Sequence, residues 1–244
     1  MKVIIPAAGF ATRLYPLTLN IPKHLLDVGN KKMIEHVMDK LMDIDEIDHI
    51  IIATNARYYE PFVEWESTYQ SIKPITILNN GVRQEDKRLG AIGDMHFAIK
   101  SMNIYDDILI IAGDNLWDFD LADMIKYFRE VKSSIIAVRD LKKKSVIANR
   151  FGCVEIDKEK KIIGFKEKPE HPKTTLTATM MYLFRKEDLH HLNNIMKEGA
   201  PDNAGEFIEY LSEKVDVHTF IFTESWYDIG SLENLEKVSS KFND

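Results

Sequence analysis

The chain has 244 residues, of which 45% are hydrophobic and 29% are charged, and its formal net charge is −7. These values are ordinary for a soluble globular protein, and the acidic balance argues against a nucleic-acid-binding protein, which would normally carry a basic face. A single cysteine excludes an intrachain disulfide framework and suits a cytoplasmic protein, and no apolar stretch approaches the roughly 20 residues of a membrane span.

The first part of the chain alternates short apolar strands with helical patterns. The predicted elements are strands at 3–5, 48–53, 74–78, 108–112 and 134–138, and helices at 31–44, 57–69, 90–100 and 121–131. Continuous apolar strands joined by helices predict an α/β fold with a mostly parallel central sheet that is flanked by helices. In such a fold the ligand site lies at the carboxyl ends of the strands.

The pattern becomes more irregular and richer in strands after Arg139. Two apolar segments, 154–156 and 162–165, flank the polar stretch DKEKK and predict a hairpin. The remaining predicted elements are strands at 177–184 and 217–222 and helices at 188–196, 206–215 and from 232 onward. Because no linker or repeat interrupts the chain, we predict a single domain, 1–244, with a nucleotide-binding half at 1–139 and a substrate-binding half at 140–244.

The loop after the first strand, AAGFATR at 7–13, is rich in small residues. Small residues let the backbone approach a ligand closely, and successive N–H groups can cradle an anion. Arg13 adds a planar fork suited to phosphate, and Lys23 offers a second cation. This composition predicts a triphosphate site, although the loop contains neither a Walker motif nor the dinucleotide fingerprint, and a tight surface turn is the alternative.

The stretch from Pro6 to Ile34, PAAGFATRLYPLTLNIPKHLLDVGNKKMI, resembles the N-terminal signature of the sugar-1-phosphate nucleotidylyltransferases. That signature runs roughly L-A-x-G-x-G-T-R-L-x-P-L-T-x-x-x-P-K-x-L-L-P-V-x-x-K-P-M-I. Further motifs resemble the family in the same order along the chain: LGAIGD at 89–94 (L-G-T-A-G-A in the family), GDN at 113–115, RFGCVEID at 150–157, EKP at 167–169, AGEF at 204–207 and WYDIG at 226–230. The chain is most similar to the glucose-1-phosphate thymidylyl- and uridylyltransferases.

The resemblance implies a Rossmann-like nucleotidyltransferase fold with a β-rich sugar-binding half. It also implies a reaction in which an NTP, dTTP or UTP, and a sugar-1-phosphate, glucose-1-phosphate, give NDP-sugar and pyrophosphate with Mg²⁺. Both substrates are anions, so attack on the α-phosphorus needs positioning and charge neutralisation more than a protein nucleophile. Relatives are often oligomers, and a homo-oligomer is compatible with this by analogy.

The family's functional residues transfer to positions of this chain that match its motifs. Arg13, Lys23 and Asp114 would be catalytic, and Asp114 with Asp228 would hold Mg²⁺ through oxygen ligands. The nucleotide would be bound by Ala8, Gly9, Phe10, Ala11, Thr12, Arg13, Gln84, Leu89 and Gly90. The sugar phosphate would be bound by Gly152, Glu167, Lys168, Met180 and Glu206. For Glu206, a contact with the sugar and a structural role at a helix start remain open.

Among the departures from the family pattern, two replace a glycine. Ala11 replaces a glycine, which would cost about 1 kcal/mol if that position requires a positive φ. Met180 also stands where relatives usually carry glycine and would narrow the sugar pocket. Two other functions remain open: a cytidylyltransferase acting on a phosphorylated alcohol such as phosphocholine, and a non-catalytic regulatory subunit that binds nucleotide sugars.

Overall fold

The computed structural model describes residues 1–199 and 202–242. The strands are β1 (Lys2–Pro6), β2 (Asp27–Val28), β3 (Lys31–Lys32), β4 (His49–Thr54), β5 (Ile75–Asn79), β6 (Ile108–Ile111), β7 (Asn115–Trp117), β8 (Ser134–Asp140), β9 (Cys153–Ile156), β10 (Ile162–Lys166), β11 (Leu176–Phe184), β12 (Val217–Phe222) and β13 (Trp226–Asp228). The α-helices are α1 (Met33–Met42), α2 (Tyr59–Thr68), α3 (Gly90–Ser101), α4 (Leu121–Val131), α5 (Lys144–Ile147), α6 (His190–Glu198), α7 (Ala204–Ser212) and α8 (Leu232–Ser239).

A nine-stranded sheet forms the centre of the molecule, in the order β10-β9-β11-β6-β1-β4-β5, with β8 paired to β11 and β12 paired to β8. Strands β6, β1, β4 and β5 are parallel neighbours, as are β8 and β12, whereas β11 runs antiparallel to β6, β8 and β9. The aliphatic residues of β1, β4 and β6 are buried because helices cover both faces, whereas those of the edge strand β5 are half-buried. The predicted fold class, a mostly parallel α/β sheet, is confirmed.

Alternate residues of β1 show how the two faces are covered. Val3 and Ile5 belong to a core formed with α1, α2, α4 and α8, whereas Ile4 belongs to a core formed with α3, α6 and α7. This alternation follows from the opposite directions of successive side chains in a strand. The sheet is thereby fixed between two apolar layers, and its carboxyl edge remains available for a site.

The structure differs from the sequence prediction mainly at short or irregular elements. The helix predicted at 31–44 begins at Met33, because Lys31 and Lys32 pair with β2. The predicted hairpin is confirmed as β9 and β10. The two-stranded sheet of β7 and β13 was not predicted, since strands of three residues carry too little periodicity.

Strands from both predicted halves of the chain contribute to the central sheet, and the functional division at residue 139 stays a prediction. Within 1–199 and 202–242, each helix is too short or too polar to cross a lipid bilayer.

Candidate active site

A cavity of about 480 Å³ lies at the carboxyl ends of β1 and β6. It is bounded by the loop after β1, the beginning of α3, the turn after β6 and the segments next to the hairpin of β9 and β10. This is where an α/β sheet is expected to bind its ligand, because the loops at that edge come from different strands. The fold therefore brings together residues that are far apart in the sequence.

Two aspartates from distant segments line this cavity next to each other. Asp114 follows β6, and Asp228 ends β13, whose pairing with β7 sets Asp228 opposite Asn115. The backbone N–H of Ile229 donates to the carbonyl oxygen of Asp114 (3.1 Å), which joins the two segments. Burial, together with the charge of Asp114, raises the pKa of Asp228 to about 6. Two neighbouring half-buried carboxylates favour a cation, and their oxygens suit Mg²⁺.

Lys23 supplies positive charge to this aspartate pair. Its Nζ forms an ion pair with Asp114 Oδ2, and Asn115 Nδ2 donates to Asp114 Oδ1 (3.0 Å). Burial alone would raise the pKa of Asp114, but the charge of Lys23 and the hydrogen bonds from Lys23 and Asn115 act together to hold that pKa below its ordinary value. Burial also lowers the pKa of the adjoining His24 to about 3, so His24 is neutral near pH 7. Lys23 is therefore the cation that this segment provides.

Two arginines lie close to the aspartate pair. A Cβ placed on Gly230 would lie 3.4 Å from Arg13 Nη2 and 3.6 Å from Asp228 Oδ2, so both side chains approach the same glycine. Arg150 lines the cavity, and its charge, like those of Arg13 and Lys23, opposes the rise in the Asp228 pKa. Three cations thus converge on this wall, an arrangement suited to binding phosphate groups.

The opposite wall carries a carboxylate and a lysine next to β10. Lys168 Nζ donates to Asn203 Oδ1 (2.6 Å) and lies 3.5 Å from Glu167 Oε1. Burial raises the pKa of Glu167, although the charge of Lys168 opposes this effect. Lys168 itself is exposed, so its ammonium group can reach a ligand in the cavity.

Two glycines leave room for the carboxylate of Glu167. A Cβ placed on Gly205 would lie 1.8 Å from Glu167 Oε2, and one placed on Gly152 would lie 3.1 Å from the same oxygen. Any larger residue at position 205 would have to displace Glu167. The second wall is therefore shaped by the absence of side chains around the half-buried Glu167 and the buried ring of Phe165, which a Cβ on Gly152 would approach to 2.6 Å and one on Gly205 to 3.0 Å.

Ten of the predicted site residues line the cavity together: Ala8, Gly9, Lys23, Gly90, Asp114, Gly152, Glu167, Lys168, Met180 and Asp228. Arg13 adjoins it at Gly230. The remaining predicted residues lie outside the lining: Phe10, Ala11, Thr12, Gln84, Leu89 and Glu206. Binding roles for all of these residues stay predictions.

The residues outside the lining have identifiable surroundings. Phe10 is buried, and its carbonyl oxygen accepts a hydrogen bond from Tyr58 (2.9 Å). Gln84 is exposed and precedes a 3₁₀ turn. Glu206 Oε2 accepts from the backbone N–H of Asn203 (2.8 Å) in the capping box of α7, which is the structural alternative that the sequence left open. A contact between Glu206 and a sugar stays a prediction.

The two positions where this chain departs from glycine both have a left-handed backbone. Ala11 has φ 49° and Met180 has φ 56°. Met180 interrupts the ladder between β11 and β8, and its carbonyl oxygen accepts from the N–H of Ala112 (3.0 Å). Ala11 and Met180 therefore both adopt the left-handed conformation that glycine adopts most easily. This conformation costs about 1–2 kcal/mol of backbone strain for each non-glycine residue.

Several lining residues were not predicted as functional, notably Asp94, Arg150, Tyr182 and Asn203. Arg150 is the first residue of the motif RFGCVEID, and its position two residues before Gly152 could have identified it as a site residue. Asp94 interrupts the apolar pattern of α3, and a buried charge at such a position is itself a functional signal.

Comparison with known proteins adds an independent observation. The profile of the nucleotidyl transferase family matches residues 2–244. The bifunctional protein GlmU of Methanocaldococcus jannaschii is 28% identical over 232 residues, covering 94% of this chain and 51% of that protein. The chain thus spans about half the length of this curated relative.

Two solved structures are similar over almost their whole length. The Bacillus anthracis protein assigned as a glucose-1-phosphate thymidylyltransferase, solved with sucrose, is 25% identical with a TM-score of 0.84, covering 100% of this chain and 96% of that one. The UTP-bound UGPase of Acinetobacter baumannii is 19% identical with a TM-score of 0.80, covering 99% and 92%. The second likeness concerns the fold alone.

Proposed function

The chain belongs to the nucleotidyl transferase family and is a transferase, and on that premise we propose that it transfers a nucleotidyl group from a pyrimidine nucleoside triphosphate to a sugar-1-phosphate, with glucose-1-phosphate as the first sugar to test. The products would be an NDP-sugar and pyrophosphate. The thymidylyltransferase named among the similar structures supports a pyrimidine nucleotide. The observation that carries the proposal is the convergence of Lys23, Asp114 and Asp228 opposite Lys168 in one cavity.

The two walls have separate tasks in this proposal. Residues 1–139 bind the nucleotide, whose phosphates lie against the loop after β1, Arg13 and Lys23. Residues 140–244 bind the sugar phosphate, with Lys168 on its phosphate and Glu167 accepting hydrogen bonds from sugar hydroxyls. Opposed cations are needed because the two substrates repel each other. Holding them in line supplies much of the rate enhancement.

The reaction needs no covalent intermediate with the protein. An oxygen of the sugar phosphate attacks the α-phosphorus, the bond from that phosphorus to the bridging oxygen of the β-phosphate breaks, and pyrophosphate leaves with that oxygen. Arg13 and Lys23 neutralise the negative charge that develops on the α-phosphate. The charges around the α-phosphate thus decide the rate.

Asp114 and Asp228 fit a divalent metal ion. Their carboxylates are close and half-buried, and burial together with the charge of Asp114 raises the pKa of Asp228 although Lys23 and two arginines oppose this rise, so a further cation would stabilise the ionised pair. Hard oxygen ligands of this kind suit Mg²⁺, which would complete its coordination with water and substrate phosphates. When bound, Mg²⁺ would supply further charge neutralisation at the phosphates.

The test is pyrophosphate release measured over a matrix of nucleoside triphosphates and sugar-1-phosphates with Mg²⁺. Release that requires both substrates is expected, with no release from either alone. If no pair of substrates releases pyrophosphate while the folded protein binds a nucleotide sugar, the enzyme proposal fails and a regulatory binding role replaces it. Phosphocholine with CTP belongs in the matrix, since turnover with that pair alone would assign a different acceptor.

A further inference from the structure

Asp94 is the feature of the cavity that the proposed chemistry leaves unused. It ends the motif LGAIGD, where the resembling family element L-G-T-A-G-A has alanine. Asp94 lies in α3, is only 5% exposed, and lines the cavity. Burying a carboxylate costs free energy unless a hydrogen-bond partner or a cation compensates it. The burial of Asp94 therefore indicates a partner or a ligand.

One oxygen of Asp94 is fixed by a well-ordered partner. Oδ1 accepts from Asn80 Nδ2 (2.8 Å). Asn80 is itself held by its backbone N–H, which donates to Thr54 (2.9 Å), and by its side-chain oxygen, which accepts from Val82 (2.9 Å). Within 1–199 and 202–242, no hydrogen bond engages Oδ2, and that oxygen is not sealed from the cavity. Asp94 therefore offers one oriented, unused acceptor to a ligand.

The charges around Asp94 exclude a phosphate ligand. Burial raises the pKa of Asp94 to about 6; the carboxylate of Asp202 adds to the rise and the Asn80 bond opposes it. The carboxyl group is thus largely ionised above pH 7, and Asp202 is the charged group that acts on it. An ionised carboxylate without a cation would repel phosphate, so its partner must be an N–H or O–H donor.

The position of Asp94 assigns it to the nucleotide side of the cavity. Asn80 directly follows β5, and Asn80 and α3 both belong to residues 1–139, the half that is proposed to bind the nucleotide; the charge of Asp202, next to the Asn203 that accepts from Lys168, also reaches Asp94. Asp94 also lies one helical turn after Gly90, and helical side chains incline towards the N-terminus. Gly90 also lines the cavity, but Asp202 fills the space that a Cβ on Gly90 would take, so a base would reach the carboxylate of Asp94 from the cavity and not across Gly90.

We propose that Asp94 determines base specificity by accepting a hydrogen bond from the exocyclic amino group of cytosine, so that the enzyme prefers CTP over UTP and dTTP. This inference rests on the proposed function and narrows its pyrimidine nucleotide. At position 4 cytosine carries an amino donor, whereas uracil and thymine carry a carbonyl oxygen that would face the lone pairs of the carboxylate. The preference replaces the dTTP or UTP expected from the family resemblance.

The decisive variant is Asp94→Asn, which keeps the shape of the side chain. Its oxygen can still accept from Asn80, and its NH₂ group then faces the base as a donor, which suits the carbonyl of uracil. A hydrogen bond to a charged group contributes about 1.5–3 kcal/mol, which is about 10- to 150-fold. We therefore expect wild type to favour CTP over UTP at least about tenfold in kcat/KM, and Asp94→Asn to lose or reverse this ratio.

The experiment measures kcat and KM for CTP, UTP, dTTP, ATP and GTP at a fixed sugar-1-phosphate concentration. Asp123→Asn, an exposed aspartate in the first turn of α4, is the matched control and should keep the wild-type ratio. Asn80→Ala should weaken the preference partly, because Oδ1 loses the bond that orients the carboxylate. The KM of the sugar phosphate should change less than twofold in each variant.

Three results would overturn the inference. The wild type could use UTP or dTTP as well as CTP, or it could prefer a purine nucleotide. Asp94→Asn could also slow turnover of every nucleotide equally, which would indicate a ribose contact or a structural role. Calorimetric binding of CTP and UTP separates this inference from the proposed function. Tighter CTP binding that Asp94→Asn abolishes would uphold the role of Asp94 even if no substrate pair released pyrophosphate.

Discussion

The two walls of the cavity are built on different physical principles. In the wall with Asp114 and Asp228, the positive charges of Lys23, Arg13 and Arg150 oppose the negative charges of the two aspartates. In the wall with Glu167, the arrangement depends on volume, because Gly152 and Gly205 leave room for the Glu167 carboxylate. Activity should therefore be sensitive to the charge of side chains in the first wall, even when their size is unchanged. In the second wall it should be sensitive to added side-chain volume.

The largest effect is expected from Asp114→Asn, which preserves size and removes one charge from the first wall. Lys23 would lose its ion-pair partner and the metal site a ligand. We expect turnover to fall by at least about 10²-fold with an unchanged circular dichroism spectrum. The exposed Asp118→Asn is the control, and near-normal turnover of Asp114→Asn would reject charge as the principle of this wall.

A smaller and more selective effect is expected from Lys168→Ala. This change removes the one lysine that spans Glu167 and Asn203 at the second wall. The KM of the sugar phosphate should rise about tenfold or more, as expected for a lost charge-assisted hydrogen bond, while the KM of the nucleotide stays within about twofold.

Lys166→Ala removes an exposed lysine on the same hairpin and serves as the control for Lys168→Ala. If the nucleotide KM changes in Lys168→Ala and the sugar-phosphate KM does not, the two halves of the site have been assigned the wrong way round.

Gly205→Ala tests the role of space directly. The new Cβ would overlap Glu167 Oε2, so the carboxylate has to move, although alanine is a better helix former than glycine by about 0.8–1 kcal/mol. We expect the sugar-phosphate KM to rise several-fold with little change in thermal stability, because the gain in helix propensity is offset by the approach of the new Cβ to 3.0 Å from Phe165 Cε1. Ser212→Ala on the same helix is the control, and an unchanged sugar-phosphate KM in Gly205→Ala would show that Glu167 needs no free space.

The sequence predicted the first wall more fully than the second. Asp114 follows an apolar strand, and a strand of four buried residues is recognisable without tertiary information. Its proximity to Asp228 depends on the pairing of β7 with β13, two three-residue strands more than a hundred residues apart, which local periodicity cannot predict. The family motif, and not the pattern of residues, associated these two aspartates.

The sequence was less informative where a side chain forms hydrogen bonds with the backbone or replaces a smaller residue of the family motif. The sequence left a sugar contact and a helix-start role open for Glu206, and its carboxylate caps α7, which only the position of Asn203 reveals. Gln84 was predicted from its place before Leu89, yet the intervening residues form a 3₁₀ turn that leaves it exposed. Asp94 was visible as a motif departure, but its importance depends on Asn80, which the fold brings next to it.

The smallest effects are expected from restoring glycine at the two left-handed positions, Ala11 in the loop after β1 and Met180 in the cavity lining. Ala11→Gly should relieve about 1–2 kcal/mol of backbone strain while glycine gains unfolded-state freedom worth about 0.4–1 kcal/mol, so stability should change by about 1 kcal/mol or less. Met180→Gly relieves the same strain and also empties a half-buried position that lines the cavity. Turnover of Ala11→Gly should stay within about twofold of wild type on every substrate, whereas Met180→Gly should accept bulkier sugar-1-phosphates. Substrate profiles and thermal melts of both variants test this contrast, and a sugar profile left unchanged by Met180→Gly would remove volume as the factor that shapes the second wall.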